Sequence, residues 1–309
     1  MQFTHMRRRG FLSAVAGVAA AGTVAGTSGC LRADGVSVLS AGSLAVTLDE
    51  GVGPAFERDT ETSYSGEYYG TNAAIRMVES GQKNPDVVVS ADAQLLRDRL
   101  YDEYVVWDVV FASNSVGIAY DGRTEVGERL ESGDAWYDVL RDADEGDVAI
   151  SDPDLDPLGY RAVHAFKIAE EKYGIDGFAD EMLGKVYEEP EEPQLLAGVR
   201  SGNRAAAVVY RNMAVDHGMP FHEFPDEYSF ADPDRADEYA EVSYTTDEGY
   251  VARGTPVLYN LSVTETADNA EAGYDFVNYL LENRDILLDM GLTLPDVEFH
   301  GDVPGEVRG

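Results

Sequence analysis

Three short turns carry the residue types that a small anion needs: Ala41-Gly42-Ser43-Leu44, Gly70-Thr71-Asn72-Ala73 and Asp156-Pro157-Leu158-Gly159-Tyr160. Each follows a β-compatible segment and opens a helical pattern, and a helix start offers unpaired N–H groups and the positive end of the helix dipole. Gly42, Gly70 and Gly159 allow a ligand close to the backbone, while the Ser43 and Thr71 hydroxyls add neutral donors beside the amides. Taken singly, Ser43, Thr71 and Asn72 would be ordinary helix caps. Three such turns in one chain point instead to a shared site. The first two turns contain no Lys or Arg, which suits a fully ionised dianion: a protonated competitor would need an acceptor that such a site does not provide. Ser90 and Tyr160 stand beside these turns as further candidates.

Other chemistries find no support. The chain has no G-x-S-x-G, no Walker A lysine loop and no H-E-x-x-H, and His164, His217, His222 and His300 fall at spacings of no metal or triad motif. A hydrolase would need a nucleophile–base pair, and none can be named. Tyr68-Tyr69 could offer two phenolates to a ferric ion, but adjacent strand residues face opposite ways. No enzyme activity and no cofactor are expected.

The elements that must position these turns alternate. Val36–Leu39 reads as a strand and Leu44–Arg58 as a helix; Tyr64–Tyr69 leads into Ala73–Glu79, and Asp86–Ser90 into Gln94–Leu100. A second series runs from Val148–Ser151 through the Asp156 turn into Arg161–Tyr173, then Ala205–Tyr210 with a helix behind it. Such alternation implies a mostly parallel, doubly wound α/β sheet, whose ligands bind beyond the carboxyl ends of the strands. The long apolar runs Val109–Tyr120 and Thr255–Val263 stand where one series gives way to the other, so they are read as strands carrying the chain between two lobes. Residues 30–113 with 258–309 would form one lobe and 114–257 the other. Ala270–Met290 reads as one helix, the end after Phe299 as a frayed tail, and Glu188–Pro193 as an exposed loop.

Residues 1–29 read as an export signal. Arg7-Arg8-Arg9-Gly10-Phe11-Leu12 matches a twin-arginine signal, and the Gly- and Ala-rich stretch that follows ends in Ser28-Gly29-Cys30, a lipid-attachment site. Cys30 is the single cysteine, so no disulfide can form within the chain. The expected location is the outer face of the cell membrane, anchored through Cys30. Without residues 1–29, 20 Lys and Arg face 58 Asp and Glu, a net charge of −38. The acids are spread along the whole chain and form no calcium loop of the D-x-[DN]-x-[DN]-G type, so they read as the solvated surface of a protein from a salt-loving organism. Nucleic acid is excluded as a partner, because phosphate contacts need Lys and Arg clusters.

The stretches Leu39–Leu44, Asp86–Asp92, Trp107–Tyr120, Asp156–Arg161 and Tyr210–Gly218 resemble, in order, the archaeal tungstate/molybdate-binding proteins of the extracellular solute-binding protein family. The resemblance implies a two-lobed periplasmic-binding fold of type II, each lobe a mixed, mostly parallel sheet flanked by helices. It further implies a monomer that closes over molybdate or tungstate and delivers it to the membrane permease of an ABC importer. The family's oxyanion donors correspond to Ser43, Thr71 and the backbone of the Asp156–Tyr160 turn. In its octahedral members an aspartate and a glutamate approach the metal atom. Asp156 matches the aspartate, but Val209 stands at the glutamate position, which favours a tetrahedral site or a ligand such as sulfate.

The charge yields a first prediction. Repulsion among surface carboxylates is screened as the Debye length falls from ~10 Å at 0.1 M salt to ~3 Å near 1 M, so thermal melts should shift upward from low to molar KCl. A flat or falling melting temperature would show that the acidity is not a salt adaptation.

Overall fold

The computed structural model describes residues 35–190 and 192–307, so the export signal and Cys30 lie outside the described residues. Two mixed sheets organise the chain. The first contains β1 (Gly35–Ala41), β2 (Ser63–Tyr69), β3 (Val87–Ser90), β4 (Trp107–Ser113), β12 (Leu258–Val263) and β13 (Glu298–Gly301) in the order β13-β4-β12-β3-β1-β2. The second contains β5 (Val116–Tyr120), β6 (Val148–Ser151), β7 (Tyr187–Glu189), β8 (Ala206–Tyr210) and β9 (Phe221–Glu223) in the order β7-β6-β8-β5-β9. A separate hairpin pairs β10 (Ser243–Thr245) with β11 (Val251–Arg253). Strand β1 runs parallel to β2 and β3, and β6 runs parallel to β7 and β8. Strands β4, β5, β12 and β13 lie antiparallel to their neighbours in the sheets. The central strands β3, β4, β5, β6 and β8 are buried throughout, which is why they read as unbroken apolar runs rather than alternating ones.

Several elements depart from the sequence reading. The run 109–120 is two strands, β4 and β5, broken at Asn114-Ser115 where the chain leaves the first sheet for the second. There the Asn114 carboxamide donates to Asn212 Oδ1 (2.8 Å) and to the Tyr259 hydroxyl (3.2 Å), and its oxygen accepts from the Ser115 N–H (2.9 Å). The return strand begins at Leu258, three residues late. The helix expected over 44–58 is a 3₁₀ turn, Gly42–Leu44, then a π-helical stretch, Thr47–Val52, and only then α1 (Gly53–Thr60). Pro54 has no N–H to give to the i−4 carbonyl, and the Gly53 N–H reaches back to the Leu48 carbonyl, the i−5 pattern of a π-turn. The helix expected over 270–290 divides into Ala270–Glu282 and Asp285–Asp289, where the Asn283 carboxamide donates to the Tyr279 carbonyl (2.8 Å). The end of the chain is not frayed: Glu298–Gly301 pairs with β4, and Val307 is buried. The stretch 188–193 is not simply an exposed loop either, because Tyr187–Glu189 pairs with β6 and Glu192 is wholly buried.

Helices α2 (Thr71–Glu79), α3 (Ala93–Leu100) and α6 (Pro157–Tyr173) follow β2, β3 and β6. Between β5 and β6 lie α4 (Glu125–Ser132) and α5 (Trp136–Asp142). The core of the second lobe gathers around Trp136 on α5. Its ring lies 4.7 Å from that of Phe224 and 5.7 Å from that of Phe178, and its indole N–H donates to the Tyr228 hydroxyl at 2.8 Å. Trp136→Ala should therefore cost ~3–5 kcal/mol in denaturant melts at high salt, and a loss under ~1 kcal/mol would mean that the cluster is not the keystone of this lobe.

Candidate anion-binding site

Parallel pairing decides where the three turns go. Because β1, β2 and β3 run the same way, their carboxyl ends share one edge of the first sheet, and the ends of β6, β7 and β8 share one edge of the second. The turns after these strands meet. The Ala73 N–H donates to the Leu155 carbonyl (3.1 Å), the Asn212 carboxamide to the Ser43 carbonyl (2.7 Å), and the Ser43 N–H to Glu192 Oε2 (2.9 Å). Glycine is what permits this approach. A Cβ on Gly70 would stand 2.5 Å from the Leu155 carbonyl oxygen, and one on Gly42 would stand 2.8 Å from Glu192 Oε2.

Ser43 and Thr71 are both buried, and neither caps its helix: the N-cap positions are Ala41 and Gly70, without side-chain bonds. Ser43 Oγ accepts from the Tyr259 hydroxyl (3.0 Å) and Thr71 Oγ1 from the Ala91 N–H (3.1 Å). Those contacts orient the two oxygens, and the Ser43 hydroxyl also acts on the Glu192 carboxyl. Asn72, next to Thr71, is equally buried, and neither its Oδ1 nor its Nδ2 has a partner among the described residues.

The other candidates are committed to structure. The Ser90 hydroxyl donates to the Asp92 carbonyl (2.6 Å) and accepts from the Asp92 N–H (2.9 Å), closing its own turn. The Tyr160 hydroxyl donates to Asp92 Oδ2 (2.6 Å). Asp156 caps α6, accepting from the Leu158 N–H (3.3 Å) through Oδ1 and from the Ser151 hydroxyl (2.6 Å) through Oδ2. Burial pushes its carboxyl up to about 6, and those two donors hold it back only in part. Gly159 packs against Pro153 and the Ser151 carbonyl, so its missing side chain serves the fit of helix to strand. Val209 is buried in β8.

Two side chains that the sequence reading missed dominate the charge here. Arg161, on the first turns of α6, is wholly buried. Its guanidinium donates to the Ala91 carbonyl (3.1 Å), Asp92 Oδ2 (3.1 Å) and the Tyr210 hydroxyl (2.8 Å), tying the end of β3 to α6 and β8. Glu192 follows β7 and faces the Gly42-Ser43 turn. Burial first, and then the charge of Asp156, raises its carboxyl well above the ordinary range, against the pull of the Ser43 N–H, the Ser43 hydroxyl and Arg161. The only sequence cue to Glu192 was its place after a strand end, hidden in a run of acids.

The ferric-ion arrangement does not form. Tyr68 bonds to Asp49 and lies 2.9 Å from the Tyr64 hydroxyl, whereas Tyr69 turns to Glu67 (3.3 Å), and burial raises Tyr68 away from the phenolate form. Among the described residues no group of three His, Cys, Asp or Glu could hold a metal ion. His164 is buried and held down to about 3, chiefly by burial, which keeps it neutral.

Residues 36–293 match the family model described as bacterial extracellular solute-binding protein. An uncharacterised solute-binding protein of Halobacterium salinarum is 44% identical over 89% of this chain and 90% of its own. A provisionally named ABC transporter molybdenum-binding protein of Haloferax volcanii is 39% identical over 96% of this chain and 95% of its own. In fold, the periplasmic molybdate-binding protein of Azotobacter vinelandii superposes with a TM-score of 0.63 at 16% identity, over 84% of this chain and all of that one. All three are named as binding proteins rather than enzymes, and the Azotobacter protein shares this fold. The chain belongs to the bacterial extracellular solute-binding protein family.

Proposed function

We propose that this protein captures molybdate or tungstate between its two lobes and hands it to the permease of an ABC importer. The observation that carries the reading is the placement of the Ser43 and Thr71 hydroxyls: both are buried where strand ends of the two lobes meet, and neither is spent on capping its helix. Such donors, with backbone amides beside them, match the oxygens of a tetrahedral dianion. The Haloferax relative named for molybdenum supports that ligand, and tungstate has the same charge and shape. With Val209 at the expected glutamate position and both Asp156 oxygens already bonded, tetrahedral coordination is the better fit, and Asp156 would approach the metal atom only if it were six-coordinate.

Calorimetric titration with molybdate, tungstate and sulfate in molar salt tests this. Each hydroxyl bond to a charged oxygen is worth ~1.5–3 kcal/mol, so Ser43→Ala and Thr71→Ala should each weaken binding by about one to two orders of magnitude, alongside a stability loss of ~1–3 kcal/mol as the Tyr259 hydroxyl or the Ala91 N–H loses its acceptor. Full affinity in both variants would move the site elsewhere, and preference for sulfate would correct the ligand.

Export and anchoring complete the proposal. The twin-arginine match and Ser28-Gly29-Cys30 support removal of residues 1–29 and lipid attachment at Cys30, on the outer face of the membrane beside the permease. Mass spectrometry of protein from its native membrane should find a lipid-bearing Cys30 at the new N-terminus. An intact Met1 or an unmodified Cys30 would refute it.

A further inference from the structure

We propose that the tip of the β10–β11 hairpin, through Glu248 and Tyr250, is a latch that clips the second lobe onto Arg76 and the α3 face of the first, and so sets how long the closed site keeps its ligand. The proposal rests on the oxyanion reading above for the ligand that is kept. Arg76, Glu248 and Tyr250 are positioning residues in it, and none of them touches the anion.

Arg76 stands on α2, the helix that opens with Thr71, and its guanidinium joins the two lobes. Nε donates to the Asn72 carbonyl (3.3 Å), beside the Thr71 turn. The two amino groups cross to the other lobe, one to the Asp154 carbonyl (2.9 Å), just before Asp156, and one to Glu248 Oε1 (2.9 Å). The planar fork therefore spans from one proposed binding turn to the other. Arg99 on α3, itself paired with Glu79, stands 3.9 Å from Glu248 Oε2. Tyr250 adds an apolar hold: it packs against the cluster that includes Ile75 on α2 and Leu95 on α3, and its hydroxyl donates to Asp98 Oδ2 (3.3 Å).

The hairpin is built to let go as a unit. Its strands pair with each other and lie outside both main sheets. It is fastened to the second lobe, where Lys167 Nζ donates to the Ser243 carbonyl (2.7 Å) and Asp154 Oδ1 accepts from the Tyr244 hydroxyl (3.2 Å) and the Asp247 N–H (3.0 Å). Its turn is closed on itself: the Thr246 N–H donates to the Tyr250 carbonyl (2.9 Å), the Gly249 N–H to the Thr246 carbonyl (2.8 Å) and the Tyr250 N–H to the Thr246 hydroxyl (3.1 Å). Gly249 takes a φ of 86°, which glycine permits. Crevices of about 500 and 590 Å³ flank the tip, one lined by Asp98 and Arg253, the other by Arg76 and Leu155, so the tip bridges to the first lobe by a narrow contact. A preformed turn on a narrow contact can part from α2 and α3 without unfolding either sheet. Its contacts form only when the lobes meet, so they act on release of the ligand rather than on its capture.

Rapid mixing with molybdate in molar KCl, followed by intrinsic fluorescence, measures capture and release separately. Tyr250→Ala and Arg76→Met should each release the anion about tenfold faster, while capture changes by less than about twofold. Tyr250→Phe, which keeps the ring, should stay near wild type. Glu248→Gln removes only an exposed charge and should fold as wild type does. It should speed release about twofold to fivefold at about 0.5 M KCl and less at about 3 M, because salt screens the ion pair, whereas the effect of Tyr250→Ala should persist at both. A purely structural role would lower the melting temperature of Tyr250→Ala and leave release unchanged. Wild-type release in Glu248→Gln together with wild-type release in folded Arg76→Met or Tyr250→Ala would overturn the proposal and leave the oxyanion reading standing. Affinity lost through slower capture would overturn it as well. If the wild-type protein binds none of molybdate, tungstate or sulfate, the oxyanion reading fails and the proposal with it.

Discussion

An anion enclosed by protein must have its oxygens met by donors, because the water it leaves behind satisfied all of them. In the site proposed for this chain, the meeting of two sets of strand ends answers that constraint. Parallel pairing brings the turns after β1, β2 and β3 to one sheet edge and those after β6, β7 and β8 to the other, and the Gly42-Ser43 and Gly70-Thr71 turns offer amides and hydroxyls rather than cationic side chains. The glycines, the cross-lobe hydrogen bonds and the buried Arg161–Asp92 pair all follow from bringing those edges within hydrogen-bond distance.

Arg161 shows how a cation can stand near the proposed anion site with its donors already committed. Its guanidinium is spent on a carbonyl, a carboxylate and a phenol, and such a planar fork fixes the relative placement of the groups it joins. A buried pair of this kind is weak evidence for stability, since desolvation offsets much of its attraction, but severing it would leave Asp92 charged and unpaired. Asp92 also receives the Tyr160 hydroxyl and caps α3 through its other oxygen. A single carboxylate thus joins a helix start, a tyrosine and an arginine, and holds the ends of β3 and α6 at one spacing.

Much of this was legible in the sequence for local reasons. Glycine followed by a hydroxyl residue at the end of a β-like segment marks a strand–turn–helix unit wherever it occurs, and it located Ser43 and Thr71. The rest depended on distant partners. Ser90 and Tyr160 carry suitable groups, but whether a hydroxyl is spent on Asp92 is settled by neighbours that the chain brings in from elsewhere. Glu192 sits in an acidic, proline-bracketed run that reads as solvated. Its burial arises because Tyr187–Glu189 adds an edge strand to β6 and delivers the next turn to Gly42. The boundaries misread at 44–58, 109–120 and 270–290 share one cause, since apolar periodicity continues through a π-turn, a strand break or a kink while the hydrogen-bond ladder does not.

The acidic surface and the proposed ligand carry charge of the same sign, and ionic strength reconciles them. A chain whose full sequence sums to −35 sets up a field that opposes the approach of any dianion. At molar salt that field fades within ~3 Å of the surface, so the anion reaches the cleft against little resistance. The contacts where the strand ends meet are short and dry, and dissolved ions do not screen them: the Ser43 amide on Glu192, the buried hydroxyls and the Arg161–Asp92 bond. Salt therefore acts on the surface terms, the repulsion within the fold and between fold and ligand. The buried contacts are left as they are, and salt changes only how readily the fold and its ligand come together.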